Sequence, residues 1–232
     1  MQQRVPRFLV SNPTMSSRNP VQQLYSLCAA IAASEEQVEK LQQELEGKAS
    51  ASLLTSIKAA VQALCLEDLG VTARNSASYF QPNVITQVKL FSSDRLWIGL
   101  FCMNPGLGFP LHDHPSMSAF TYLLRGSIQV VAFDRVQQMF PGLLKGRLTQ
   151  NATVTSPAVL HLSHEKGNLH EILALEPTIF LDIFMPFYND ARPCTYFRMM
   201  GQIEDEFYLM RCPNPALPNV TMRYAGLPFA SP

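Results

Sequence analysis

The sequence predicts a mainly β protein, a small barrel or sandwich preceded by a helical segment. Between residues 19 and 70 apolar residues recur at helical spacing, whereas from about residue 80 they fall in short runs of strand length. Glycine and proline separate those runs, as in sandwiches and small barrels. We expect residues 1–18 to form a flexible tail. Residues 19–232 should form a single domain, with a helical cap at 19–70 and a β barrel at about 80–212.

Three helices are predicted in the N-terminal part. Asn19-Pro20 is typical of a helix start, because Asn caps the first turn and Pro fits within it. Ser34 and Gln37 form a capping-box pattern that opens the second helix, and Gly47 can end it. A third helix is indicated by apolar residues at helical spacing: Leu53, Leu54, Ile57, Val61 and Leu64. We expect these helices to pack against the main domain and not to form a cofactor site.

Strands are predicted from Val84 onward. Apolar and polar residues alternate from Val84 to Leu90, as on a half-buried strand, and residues 96–102 are continuously apolar, as in a strand covered on both faces. Further strands are predicted at residues 120–124, 128–133, 159–162 and 179–184. Residues 136–156 have weak periodicity, and we expect them to form a long surface excursion.

Composition excludes several classes of protein. The 18 basic and 18 acidic residues cancel and form no block of like charge, so we expect no nucleic-acid partner. No apolar run approaches the length of a transmembrane helix, so we expect no membrane partner either.

The five cysteines are scattered without a C-x-x-C pair, which favours a reducing, cytoplasmic location. The acid-free N-terminus, with Arg4, Arg7 and Arg18, leaves mitochondria as the alternative. We expect a monomer.

A pair of histidines lies between two prolines. His112 and His114 are two residues apart, and in an extended strand they would project from the same face. Pro110 and Pro115 bracket the pair and disfavour a helix. Two imidazoles on one face can share a metal, whereas the alternative is a polar loop between two strands. On a regular strand Asp113 would point away from such a metal.

All five histidines fall between residues 112 and 170, which favours a metal site. His170 follows Gly167 by three residues and begins a predicted strand, so it is the candidate third ligand. His161 and His164 lie three apart across a turn, and we expect them to be structural or surface residues.

These positions resemble the two cupin motifs. Gly106, five residues and then His-Asp-His match the first motif, and Gly126 stands where its last glycine belongs. The glutamate of that motif is Ala119 here. Gly167-x-x-His170 resembles the second motif, although Glu165 replaces its proline. The chain therefore offers three histidines and lacks the carboxylate ligand of ordinary cupins. The resemblance implies a double-stranded β-helix, the jelly-roll barrel.

More closely, residues from about 20 to 200 resemble the family of 2-aminoethanethiol (cysteamine) dioxygenases and plant cysteine oxidases. The matching stretches are PLHDHPSM (110–117), LLRGSI (123–128), GNLH (167–170), FLDIFMPFY (180–188), RPCTYFR (192–198) and LCLEDLGV (64–71). The resemblance implies Fe(II) held by His112, His114 and His170. It also implies an outer carboxylate at Asp182 and a nearby tyrosine at Tyr188.

The same resemblance implies a further feature of the site. In some animal members a cysteine and a tyrosine two residues apart become covalently linked, and Cys194-Thr195-Tyr196 has that spacing. Thr195 replaces the usual intervening residue, so whether the cross-link forms here stays open.

Residue chemistry leaves two readings of Asp182 and Tyr188. Asp182 lies between Phe180 and Phe184 on one strand face, and a buried carboxylate there needs a partner. The partner is either an ordinary hydrogen bond or ion pair, or a ligand or substrate amine that Asp182 orients. Tyr188 is either a core aromatic residue or a hydroxyl donor to bound oxygen.

The implied activity is that of a non-haem iron thiol dioxygenase. It would use O2 to convert cysteamine, or the N-terminal cysteine of a protein, to the sulfinic acid, and oxygen sensing is an extension. Three neutral histidines leave the full charge on Fe(II), which favours a bound thiolate, so Ala119 is consistent with this activity. A metal-dependent cupin of other chemistry, such as an isomerase, and a non-catalytic cupin binding module remain alternatives.

Overall fold

The computed structural model describes residues 19–230. The predicted flexible tail at residues 1–18 lies outside the described residues, and so do Arg4, Arg7 and Arg18, on which the mitochondrial alternative depends. Within the described part of the chain, every helix is too short or too polar to cross a membrane.

Three helices open the described chain, as predicted: α1 (Pro20–Ala33), α2 (Glu35–Leu45) and α3 (Ser52–Gln62). The side chains of Asn19 and Ser34 accept hydrogen bonds from the backbone N–H groups of Gln22 and Gln37, and thereby cap α1 and α2. At the end of α2, Gly47 has φ +76° and Lys48 N–H donates to the carbonyl of residue 43, the pattern of a Schellman motif. Local capping therefore sets these helix ends.

Twelve strands follow among the described residues. They are β1 (Ile85–Ser92), β2 (Trp97–Met103), β3 (Gly108–His112), β4 (Ser118–Arg125), β5 (Ser127–Phe140), β6 (Leu143–Thr155), β7 (Ala158–Leu162), β8 (Leu169–Ala174), β9 (Thr178–Met185), β10 (Tyr196–Ile203), β11 (Glu206–Cys212) and β12 (Asn219–Met222). One sheet has the order β12-β1-β2-β9-β4-β7. The second closes on itself in the order β10-β11-β6-β5-β8-β3. The closing contact pairs Tyr196 with His112. The two sheets form the predicted cupin-like double-stranded β-helix.

The expectation of a long surface excursion at residues 136–156 was wrong. These residues belong to β5 and β6, which pair as a long antiparallel hairpin around Gly142. Three register shifts interrupt the pairing, and beyond Phe133 most of the hairpin is exposed or half-buried. Bulges and exposure both weaken the period-two pattern of apolar residues, which is why the sequence showed little periodicity here.

The helices cover one face of the first sheet, so its other face is free to carry the site. Phe120 of β4 and Leu181 of β9 belong to the buried cluster that contains the helical residues Leu41 and Ile57. Successive strand residues face opposite sides. Residues 119, 121, 182 and 184 therefore face the second sheet, and the space between the two sheets holds the histidines described next.

Candidate metal centre

The structure brings together the three histidines that the sequence singled out. Their ring centroids are 4.9 Å (His112 to His114), 4.7 Å (His112 to His170) and 4.9 Å (His114 to His170) apart. The Nε2 atoms of His114 and His170 are 3.3 Å apart. His112 and His170 are direct partners in the neighbouring strands β3 and β8, so sheet pairing sets their spacing.

His114 does not share a strand with His112. Strand β3 ends at His112, and His114 lies in the following turn, where Ser116 has φ +54°. The expectation that one regular strand presents both rings was therefore wrong. Pro115, which has no N–H to donate to a ladder, directly follows His114. The rings still meet, because Asn168 binds the backbone of His114 at both N–H and C=O.

Asp113 lies outside the cluster of rings, as expected. Its carboxylate accepts a hydrogen bond of 2.8 Å from Thr195 N–H and pairs with the Arg135 guanidinium at 3.2 Å. It thereby ties the turn that carries His114 to the segment before β10 and to β5.

Hydrogen bonds fix the tautomers of two rings. Nδ1 of His112 lies 2.8 Å from the carbonyl of Pro110, which can only accept, so Nδ1 carries the proton. The Tyr188 hydroxyl donates to the carbonyl of Asp113 at 2.9 Å and therefore accepts from Nδ1 of His114 at 2.8 Å. Both rings thus keep an unprotonated Nε2, the form that binds metals.

All three rings are neutral at pH 7. Burial lowers the pKa of His112 to about 4 and, together with the neighbouring rings, holds the pKa of His114 and of His170 well below the usual range. A histidine ligand must be deprotonated before a metal binds, so these rings need no further proton loss at neutral pH.

The donor set fits one divalent transition metal. Imidazole nitrogens bind such ions at about 2.0–2.1 Å, so two ligands of one ion lie at most about 4.2 Å apart. The 3.3 Å between the Nε2 atoms of His114 and His170 meets this limit, and the ligand atoms of all three rings lie within 4.8 Å of one another. Three imidazoles suit iron, zinc, copper or nickel, and the ring chemistry alone does not choose among them.

A buried carboxylate shares the cavity with the histidines. Asp182 of β9 is 6% exposed, and its Oδ1 accepts a hydrogen bond of 2.6 Å from the hydroxyl of Thr121. Burial raises the pKa of Asp182 to about 7, and the bond from Thr121 opposes that rise. Ala119, at the position of the cupin glutamate, is buried and lines the same cavity.

This cavity has a volume of about 230 Å³ and opens between the two sheets. Aromatic side chains form much of its wall: Phe101, Phe109, Phe184, Phe187, Tyr188 and Tyr196. Cys194 also lines it. Burial raises the pKa of the Cys194 thiol and of the Tyr196 hydroxyl, so both are neutral at pH 7.

The other two histidines lie apart from the cluster. His161 and His164 are both exposed, and Nδ1 of His164 accepts a hydrogen bond from the backbone of Ser116.

Sequence reasoning did not single out Thr121, Asn168 or Arg135. Asn168 stands inside the GNLH stretch, and a polar residue between Gly167 and Leu169 was a signal for it. Thr121 and Arg135 gave no such signal, because their partners lie 61 and 22 residues away in the chain.

This chain is similar in sequence to known proteins over a region that includes the three histidines. The PCO_ADO family model matches residues 39–211, a span that includes all three histidines. Plant cysteine oxidase 1 of Arabidopsis thaliana is 33% identical in an alignment 147 positions long, which covers 56% of this chain and 50% of that protein. The 2-aminoethanethiol dioxygenase of Homo sapiens is 28% identical in an alignment 182 positions long, which covers 65% of this chain and 66% of that protein. The chain thus spans between half and two thirds of these relatives.

One solved structure gives a further comparison. An RmlC-like cupin from Desulfovibrio desulfuricans has a TM-score of 0.34 and 18% identity, covering 46% of this chain and 87% of that one.

Proposed function

Because this chain belongs to the PCO_ADO family, we propose that it is an iron-dependent thiol dioxygenase. The reaction is R–SH + O2 → R–SO2H. Sulfur loses four electrons and dioxygen gains four, so no external reductant is needed. One observation carries the proposal: three neutral histidines face a single buried cavity that also contains the carboxylate of Asp182.

In this proposal His112, His114 and His170 hold Fe(II). Bound iron would supply positive charge that favours the thiolate form of the substrate, and the redox chemistry that activates dioxygen. The protein contributes neutral, oriented rings. The Pro110 carbonyl and the Tyr188 hydroxyl keep the protons of His112 and His114 on Nδ1 and leave Nε2 free.

Asp182 would position the amine of the substrate. Cysteamine and an N-terminal cysteine both carry an amine on the carbon next to the one that bears the thiol. With a pKa of about 7, Asp182 is poised to ionise when an ammonium group approaches, because a nearby positive charge favours the carboxylate. The surrounding aromatic wall excludes water and strengthens that attraction.

Tyr188 would act by orienting His114. Its hydroxyl is engaged with Nδ1 of His114 and the carbonyl of Asp113, which supports this role over donation to bound oxygen.

The Cys194–Tyr196 cross-link stays a prediction. Bond formation between the sulfur and a ring carbon would remove two hydrogens, with dioxygen accepting the two electrons. A mass lower by two hydrogens in the peptide that spans both residues would reveal it.

Cysteamine and a protein with an N-terminal cysteine both carry the amine that Asp182 would position. Oxygen sensing would follow if the rate tracked oxygen concentration across the physiological range. The cytoplasmic location, its mitochondrial alternative and the monomeric state also stay predictions.

The decisive experiment is intact-mass analysis of thiols incubated with iron-loaded protein in air. Cysteamine and a short peptide that begins with cysteine should each be tested, and the same peptide beginning with serine is the matched control. We expect the thiols to gain two oxygen atoms, and no gain when oxygen is removed. If neither thiol changes in a sample confirmed to hold Fe(II), the proposal fails, and isomerase-like cupin chemistry or a binding module takes its place.

A further inference from the structure

The side chain of Asn168 is buried, 3% exposed, and every hydrogen-bonding group of its amide has a protein partner. Its Oδ1 accepts from the backbone N–H of His114 at 3.1 Å. Its Nδ2 donates to the carbonyl of His114 at 2.8 Å and to that of Ser163 at 3.1 Å. The amide therefore binds His114 as a neighbouring strand would, at a place where His114 has left β3.

Asn168 is also close in sequence to His170, another of the three histidines. Two residues later comes His170, in strand β8, whereas Ser163 directly follows β7. One amide thus joins the turn that carries His114 to the start of the strand that carries His170, across 54 residues of sequence. We expect this junction to set the distance of 3.3 Å between Nε2 of His114 and Nε2 of His170.

We propose that Asn168 is a positioning residue of the metal centre, which sets the separation of His114 from His170 and thereby the affinity for a divalent metal. The inference rests on the proposed metal-binding role of the three histidines and adds a residue that holds two of them in register.

Only a carboxamide meets these three contacts at once. The site needs two donors for two carbonyls and one acceptor for an N–H, which is the inventory of asparagine. An aspartate of the same shape keeps the acceptor but would set a carboxylate oxygen against the carbonyls of His114 and Ser163. Residues that orient metal ligands through hydrogen bonds change metal affinity by about 10–100-fold when they are replaced.

Asn75 offers a control away from the centre, because its side-chain amide also accepts and donates hydrogen bonds. Its Oδ1 accepts from the N–H and the hydroxyl of Thr72 at 2.7 and 3.1 Å, and its Nδ2 donates to the carbonyl of Gly70 at 2.8 Å. None of these residues lines the histidine cavity.

The experiment compares Asn168→Asp, Asn168→Gln and Asn75→Asp with the unchanged protein. Co(II) affinity is measured by chelator competition, the Co(II) absorption bands report the ligand geometry, and Tm is measured without metal. We expect Asn168→Asp to weaken Co(II) binding about 10–100-fold and to alter the bands. Asn75→Asp should lower Tm but leave both the affinity and the bands unchanged.

Asn168→Gln keeps both donors and the acceptor but moves them by one methylene. It decides the question if Asn168→Asp does not fold, and we expect weaker binding with altered bands. If the folded Asn168 variants bind Co(II) as the Asn75 variant does, with the same spectrum, the inference is wrong and Asn168 only stabilises the fold. If the unchanged protein itself binds no Co(II), the proposed metal centre fails instead.

Discussion

The hydroxyl of Thr121 donates a hydrogen bond of 2.6 Å to the carboxylate of Asp182, its direct partner on the neighbouring strand. This length is typical of an O–H donor to an ionised acceptor. Both residues are buried, so the bond favours a carboxylate charge that burial opposes.

Thr121→Val should therefore weaken binding of the amine substrate. Without the hydroxyl the pKa of Asp182 rises further, so at pH 7 less of it is ionised. A hydrogen bond to a charged group contributes about 1.5–3 kcal/mol, which corresponds to a KM for cysteamine raised roughly tenfold or more. Steady-state kinetics between pH 6 and 9 measure the change, which should shrink at higher pH. Thr121→Ser retains the donor and should restore KM; equal KM values for Val and Thr would contradict the assigned role.

Asp182 should also make the metal-free protein less stable as pH rises. Its folded pKa is about 7, above the ordinary value of 3.8. Between these values the unfolded chain has lost the proton that the folded chain keeps, so the free energy of unfolding falls, by up to about 4 kcal/mol. Above pH 7 this contribution no longer changes. Urea unfolding of the protein and of Asp182→Asn should therefore give curves that diverge from pH 4 to 7. Parallel curves would show that burial does not perturb this carboxyl.

Tyr188→Phe should lower metal affinity while the protein still folds. The change keeps the ring that packs in the cavity wall but removes the hydroxyl that holds the proton on Nδ1 of His114. We expect Co(II) binding to weaken about tenfold. Tyr79→Phe is the control, since Tyr79 is also buried and donates to the carbonyl of Gly70 away from the histidines. Equal Co(II) affinities for the two variants would show that Tyr188 does not orient His114 for metal binding.

Ala119→Glu would return a carboxylate to the position where ordinary cupins carry one. A negative group beside the three histidines would cancel part of the charge of the bound metal and so disfavour the thiolate. We expect Co(II) binding to be retained and the KM for cysteamine to rise about tenfold or more, in keeping with a charged interaction. Ala119→Gln adds similar bulk without charge and separates the two effects. If Gln and Glu raise KM equally, crowding explains the result and charge does not.

The sequence predicted those parts of the fold that depend on neighbours in the chain. The caps at Asn19 and Ser34 are local contacts, and the buried strands β2, β4 and β9 carry their apolar pattern within a few residues. The β5–β6 hairpin was missed because bulges and exposure remove that pattern.

The same limit applies to the site. Histidine clustering and the motif resemblance singled out the three residues that now lie together. Thr121 and Asn168 act on partners 61 and 54 residues away. Nothing local marks Thr121, and the polar position inside GNLH marks Asn168 without showing its partner. The shared strand face expected for His112 and His114 failed because strand β3 ends at His112, two residues before His114.

Strands β3 and β10 close the second sheet through one paired position, Tyr196 with His112, and both residues line the cavity. Beside this pair, Asp113 N–H donates to the carbonyl of Thr195 at 3.0 Å. A ligand that contacts both His112 and Tyr196 would bind the closed sheet more tightly than the open one, which would link closure of the barrel to occupation of the site. We expect the barrel to open first between β3 and β10. A long substrate could enter there while the other strand pairs stay hydrogen-bonded. A ligand that contacts both His112 and Tyr196 would then hold β3 and β10 together, and backbone amides of β10 should exchange with solvent more slowly in its presence.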